Sequence, residues 1–191
     1  MPHRILVFYG SYRQARVGIR LARWLVAQLG DRGHDAELID AREVDLPMLD
    51  KRYMDHGPGE APDAMETLAQ RLRDADGFLF VAGEYNWGMQ PGLKNLTDHY
   101  LDEWARRPAG LVSYSAGRLA GARSHSMWHP TLTEMGMAVV PATINVAQIG
   151  EALNEADEPQ GAGGQALVRG FARFADEFEW WIDAIMAWRA R

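Results

Sequence analysis

ILVFYGSYRQARVGIRLARWL, residues 5–25, passes from one hydrophobic period to another across a short polar loop. Ile5 to Tyr9 is a continuous apolar run, the pattern of a strand covered on both faces of a parallel sheet. Ile19, Ala22, Leu25, Val26 and Leu29 then recur at helical spacing, and Gly30 and Gly33 mark the exit. Between the two lie Gly10, Ser11, Arg13, Arg16 and Gly18, rich in hydrogen-bond donors and free of acidic groups. Gly10 permits a sharp turn, Ser11 adds a hydroxyl, and the two arginines add charge. The helix from about Gly18 adds its N-terminal dipole, so the stretch suits a phosphate cradle. Taken alone, it equally suits a plain turn with surface arginines. No Gly-Lys-Ser/Thr follows, and the three-glycine spacing of a dinucleotide fingerprint is absent.

The same alternation continues outward. Arg4–Tyr9, Asp35–Asp40, Gly77–Ala82 and Ala109–Tyr114 read as strands. Met137–Ala147 reads as a fifth, with an interruption expected at Pro141. Met65, Leu68, Ala69 and Leu72 form a second helical stripe. Leu93, Leu96 and Leu101 form a third after Pro91. Residues 120–135 form a fourth, with a kink or break expected at Pro130. The last helix carries Leu167, Phe171, Phe174, Phe178 and Ile182 on one face. Strands alternating with helices imply right-handed crossovers and one doubly wound α/β domain over residues 1–191. Arg42–Asp63 reads as a long polar loop over one sheet end. Gly150–Gln165, acidic and glycine-rich, reads as mobile.

Ligands of an open parallel sheet bind beyond the carboxyl ends of its strands, where the strand order reverses. Two more loops fall on that rim. GEYNWGMQPGLKN starts at Gly83, after the third strand, and offers Tyr85 and Trp87 as packing surface with Asn86 as donor and acceptor. Trp87 can instead simply cover the core. SYSAGRLAGAR, from Ser113, offers Ser115 as a donor and Gly117 and Gly121 for close backbone approach. An anion site, an aromatic face and a small-residue edge together suit a mononucleotide with a planar ring.

In this order, each after a strand, GSYR…RVG, GEYNWGMQPGLKN and SYSAGRLAGAR resemble the NAD(P)H-dependent FMN reductase family. The resemblance covers residues 4–147, and the middle motif is the most specific. It implies a flavodoxin-like three-layer sandwich with a five-stranded parallel sheet. It places the FMN phosphate at Ser11, Arg13 and the backbone near Arg16, Val17 and Gly18. It places the isoalloxazine against Glu84, Tyr85, Asn86 and Trp87, with the other ring edge near Ser115, Ala116 and Gly117. It also implies hydride transfer from NADPH or NADH through FMN to a small acceptor such as free flavin or a quinone. A homodimer or homotetramer is implied as well. The family usually has proline where this chain has Gly83, and many members have serine where Val17 stands. Part of the phosphate contact is therefore expected from backbone amides.

Composition narrows the alternatives. The chain has 191 residues, 47% hydrophobic and 24% charged, with a net charge of -6. That balance argues for a globular fold and against a general nucleic-acid binder, which needs a basic surface. No apolar run approaches the roughly 20 residues that span a bilayer. With no cysteine, thiolate nucleophiles and cysteine-held clusters are excluded, and a cytoplasmic location is expected. His125 and His129 stand four apart, but lack a neighbouring glutamate and a third ligand, so zinc is not expected. Trp180, Trp181 and Trp188 read as core or subunit interface. Two other functions fit the same fold: an electron carrier without NAD(P)H turnover of its own, and a regulatory protein that binds no flavin.

Overall fold

The computed structural model describes residues 1–191. Five parallel strands are joined through helices: β1 (Arg4–Tyr9), α1 (Gly18–Asp31), β2 (Asp35–Asp40), α2 (Ala41–Val44), α3 (Asp63–Asp74), β3 (Gly77–Gly83), α4 (Pro91–Asp98), β4 (Pro108–Tyr114), α5 (Ala122–Glu134), β5 (Ala138–Val146), α6 (Ile149–Ala152) and α7 (Gly161–Arg189). The sheet order is β2-β1-β3-β4-β5, the doubly wound order of flavodoxin-like folds. The expected three-layer sandwich is therefore what forms.

Alternation along β1 divides the core. Ile5, Val7 and Tyr9 join a cluster with Leu21, Leu25, Phe171, Phe174 and Phe178 of α1 and α7. Leu6 and Phe8 face the opposite cluster with Leu68 and Leu72 of α3, Leu93 of α4 and Trp128 of α5. Trp104 plugs that second layer, packing edge-on against Phe8 and Phe78 with ring centroids 5.2 and 5.0 Å away. Both faces of the sheet are covered, which is why β1, β3 and β4 read as unbroken apolar runs.

Four local expectations are corrected. The helix after Pro91 stops at Asp98, so Leu101 lies outside it, exposed, while Tyr100 and Trp104 turn inward. Pro130 does not break α5, which runs from Ala122 to Glu134. One main-chain bond is lost there, and the Thr131 and Thr133 hydroxyls donate back to the Met127 and His129 carbonyls. Pro141 does not end β5 either. Ala109 faces Val139 while Leu111 faces Thr143, so the extra residues form a bulge around the proline. β5 is an edge strand, where a missing ladder donor is tolerated. Residues 150–165 are built rather than loose: they contain α6, a Leu153–Pro159 bridge and the start of α7. The Asn154 carboxamide oxygen accepts from the Ala156 and Glu158 amides and closes that turn.

The long polar segment after β2 is also anchored. Asn95 of α4 accepts from Leu49 N–H and donates to the Pro47 carbonyl. The Tyr53 hydroxyl donates to Glu66 of α3 at 2.7 Å.

Candidate functional site

β1 and β3 are neighbours whose outgoing connections cover opposite faces of the sheet, so a crevice opens beyond Tyr9 and Gly83. It holds a cavity of about 500 Å³, within the usual range for small-molecule sites. Ser11, Arg13, Arg16, Val17, Gly18, Glu84, Tyr85, Asn86, Ser115 and Ala116 line it. Trp87 and Gly117 do not line it.

The first wall is the loop between β1 and α1. None of the backbone N–H groups from Ser11 to Val17 is donated within the fold. Such a row of unpaired donors ahead of a helix is suited to an anion. Two glycines make its path possible. A Cβ on Gly10 would lie 2.2 Å from Leu93, and one on Gly18 would lie 2.1 Å from the Tyr114 ring. The two arginines then diverge. Arg13 is exposed and has no ion pair. Arg16 reaches under the loop, its Nη1 2.5 Å from the buried Asp40 carboxylate and 3.3 Å from the Ser11 carbonyl. Ser11 itself is buried, and its hydroxyl shares a 2.6 Å hydrogen bond with the Tyr85 hydroxyl. That bond joins the first wall to the second.

In the second wall, Tyr85 and Gly88 exchange backbone hydrogen bonds of 3.0 and 2.9 Å. Asn86 and Trp87 between them have φ of 46° and 76°, so the turn is of the type I′ family. Asparagine tolerates that conformation; tryptophan there costs roughly 1–2 kcal/mol. The turn keeps Trp87 out of the cavity lining and leaves it 66% exposed beside the lining residue Asn86. Its ring meets the Arg123 guanidinium 3.8 Å from the centroid. Arg123 in turn donates to Glu84 through Nη1 at 3.0 Å and through its own amide at 3.1 Å. The Glu84 carboxylate is thus neutralised beside the cavity.

Gly83 is the position where the resemblance leads to an expectation of proline. Its N–H donates to Gln90 Oε1 at 3.0 Å, and Gln90 Nε2 donates to the Tyr114 hydroxyl at 2.9 Å. Proline could make no such bond, so the departure belongs to a buried Gly83–Gln90–Tyr114 chain. Burial pushes the Tyr114 phenol well above its ordinary range, with the neighbouring Tyr9 adding to the effect. Tyr9 is raised as well, mainly by burial. Both phenols stay protonated, and the Tyr9 hydroxyl has no hydrogen-bond partner.

The third wall follows β4. Ser115 N–H donates to Val146, and its hydroxyl donates to the Gly117 carbonyl at 3.0 Å. The Ala116 and Gly117 amides have no internal acceptor. Sequence reasoning missed Tyr9 and Tyr114, which read as ordinary core positions of strands. It also missed Gln148 to Glu151, because Gln148 and Ile149 fall just past the fifth strand and Gly150 and Glu151 open the segment that reads as mobile. His125 lies on α5, half-buried, its pKa lowered by burial and by His129.

Residues 3–151 match the family described as NADPH-dependent FMN reductase. The chain belongs to that family. This FMN-reductase-family chain is 34% identical over 121 residues to an NAD(P)H-dependent FMN reductase of Schizosaccharomyces pombe, spanning 58% of this chain and 57% of that one. It is 31% identical over 100 residues to an NADPH:quinone oxidoreductase of Arabidopsis thaliana, spanning 45% of this chain and 50% of the other. The matches thus span about half the length of these curated relatives. Among solved structures, FerB, a flavoenzyme NAD(P)H:(acceptor) oxidoreductase of Paracoccus denitrificans, superposes with a TM-score of 0.74 at 22% identity. That superposition covers 94% of this chain and 98% of that one. It bears out the fold.

Proposed function

We propose that this chain binds FMN in the crevice beyond β1, β3 and β4 and is an NAD(P)H-dependent oxidoreductase. Its acceptor is a small molecule, a quinone or a free flavin, as the names of the S. pombe and Arabidopsis relatives suggest. The observation that carries this reading is the run of undonated amides from Ser11 to Val17 beside the unpaired Arg13. An FMN phosphate supplies the acceptor oxygens and negative charge this loop lacks. The cavity volume, the glycine-permitted approach at Gly18 and the partnerless Tyr9 hydroxyl also fit a polar, planar ligand.

Bound FMN supplies the redox chemistry, accepting a hydride and passing two electrons onward. The chain's own groups bind and orient. Arg13 and the loop amides hold the phosphate, while Arg16 holds the loop by pairing with Asp40. Tyr85 presents a ring whose hydroxyl is tied to Ser11, and Asn86 offers one donor and one acceptor to a heteroaromatic edge. The free amide of Ala116, which lines the cavity, is placed to stabilise negative charge at the opposite ring edge. Glu84, paired with Arg123, adds no uncompensated negative charge there. NADPH or NADH is the donor.

The reading includes self-association into a homodimer or homotetramer. It is supported by Met48, Met127, Trp180 and Trp188, which stay exposed after the core is packed. No helix is long and apolar enough to cross a membrane; a cytoplasmic location belongs to the same reading. The test is purification with bound-flavin absorbance, FMN titration by fluorescence, and NAD(P)H consumption across quinone, flavin, azo-dye and metal-oxyanion acceptors. Flavin binding without NAD(P)H turnover would instead make the chain an electron carrier. No flavin binding at all would sink both.

A further inference from the structure

Trp87 is an aromatic side chain in a place that neither core packing nor turn formation explains. Its backbone has φ of 76°, a conformation that favours glycine or asparagine. Its ring is 66% exposed, so it contributes little to the core. A residue that strains the backbone and stays in water is held there by its surroundings for some use. The device holding it is specific. The Arg123 guanidinium covers one indole face at 3.8 Å, and two hydrogen bonds to the largely buried Glu84 fix that guanidinium and its helix. The rest of the ring is largely open to solvent, and Trp87 directly follows Asn86, which lines the cavity. Met127, half exposed, has its sulfur close to the Gly88 end of the same turn, extending the apolar shelf.

We propose that Trp87, clamped by Arg123 and Glu84, is a specificity-determining shelf. It stacks a planar, electron-poor ring of the second substrate at the mouth of the cavity. Indole is electron-rich, and a quinone or the oxidised, cationic nicotinamide ring is its natural stacking complement. A compact, non-planar oxidant has no face to stack. Arginine suits the clamp because its planar fork can pair with a carboxylate while stacking on an aromatic face; lysine cannot do both. The proposal rests on the flavin-reductase reading of the neighbouring cavity.

The test compares Trp87→Ala, Trp87→Phe and Arg123→Lys with the parent holoenzyme, using p-benzoquinone and ferricyanide as acceptors and NADPH as donor. Stacking interactions are worth about a three- to tenfold change. Trp87→Ala is expected to raise the KM for the quinone by that factor relative to ferricyanide. Trp87→Phe should recover most of the loss, and Arg123→Lys should show part of it. A rise for NADPH alone, with none for the quinone, overturns the shelf, because the reduced nicotinamide is an electron-rich, non-aromatic ring. Equal changes for quinone and ferricyanide with none for NADPH, or no change for any of the three, overturns the shelf. So does a change of assembled mass by light scattering in place of a kinetic effect, since Trp87 would then be an interface residue. FMN titration of the parent separates these outcomes from failure of the flavin reading. Quenching of the Trp87-dependent fluorescence by NADP⁺ gives a readout that needs no turnover.

Discussion

The Arg16 guanidinium is paired with the buried Asp40 carboxylate, and Arg13, three residues earlier in the same loop, is paired with nothing. Two arginines that look equivalent in the sequence thus have different work. Asp40 also accepts from the Arg42 amide and starts α2, so Arg16 ties the α1 approach to the end of β2. Arg13 is the cation left for a ligand.

Arg13→Ala should weaken FMN binding by about 1.5–3 kcal/mol, ten- to over a hundredfold, while leaving the melting temperature in place. Arg16→Ala should do the reverse first. Leaving Asp40 buried and unpaired costs about 3 kcal/mol of stability, and the loop loosens as a consequence. Fluorescence titration and thermal melts of the two variants check the contrast. Equal FMN losses with equal melting temperatures would show that both arginines touch the phosphate.

Gly83→Pro introduces the residue that the resemblance leads one to expect but removes the donor to Gln90. A Cβ at this position would lie 2.6 Å from Gln90 Nε2 and 2.7 Å from the Tyr114 hydroxyl. Destabilisation of about 2–4 kcal/mol is expected from the clash and the stranded amide. Denaturant unfolding measures it. A neutral result would mean that Gln90 and Tyr114 readily find other partners.

Asn86 permits a clean separation of turn from site. Asn86→Gly keeps the positive φ of 46° without steric cost and removes only the carboxamide. The flavin absorbance or reduction potential should shift while the unfolding free energy stays within about 0.5 kcal/mol of the parent. Unaltered flavin properties would place the ring elsewhere.

Acid sensitivity should arise where α7 meets the α1–β2 turn. Hydrogen bonds from Arg32, and from His34, lower Glu179 from the ordinary 4.5 to about 2. A depressed carboxyl pKa stabilises the fold fully above the unfolded value and loses its effect as pH falls toward the folded one. The contribution is therefore complete above about pH 4.5 and gone near pH 2. Glu179→Gln should flatten the melting-temperature profile across that window. An unaltered profile would mean the pair is screened by solvent, since the Glu179 side chain is partly exposed.

The donor preference is testable at Arg118, exposed on the loop after β4. Neutralising it should raise the KM for NADPH more than that for NADH, because only NADPH carries a 2′-phosphate for the guanidinium to meet. Equal rises would remove Arg118 from cofactor discrimination.

Sequence by itself determined the alternation of strands and helices, the sheet rim where the three motif loops gather and the donor-rich loop after β1. Those features follow from local period and from where glycine and hydroxyl residues fall after a strand. The three motifs were enough to identify the family. Tertiary structure decided what each loop residue does. Which arginine is free depends on Asp40, which is 24 residues beyond Arg16 and meets it only because β1 and β2 pair. Trp87 stands outside the cavity lining because its turn reverses the backbone and Arg123, on α5, captures its ring. Tyr9 and Tyr114 enter the site because their strands lie on either side of β3. Residues 150–165 are ordered because Asn154 closes a turn and α7 packs on β5. Each of these outcomes is a contact between residues far apart in the chain, and periodicity carries information only about neighbours.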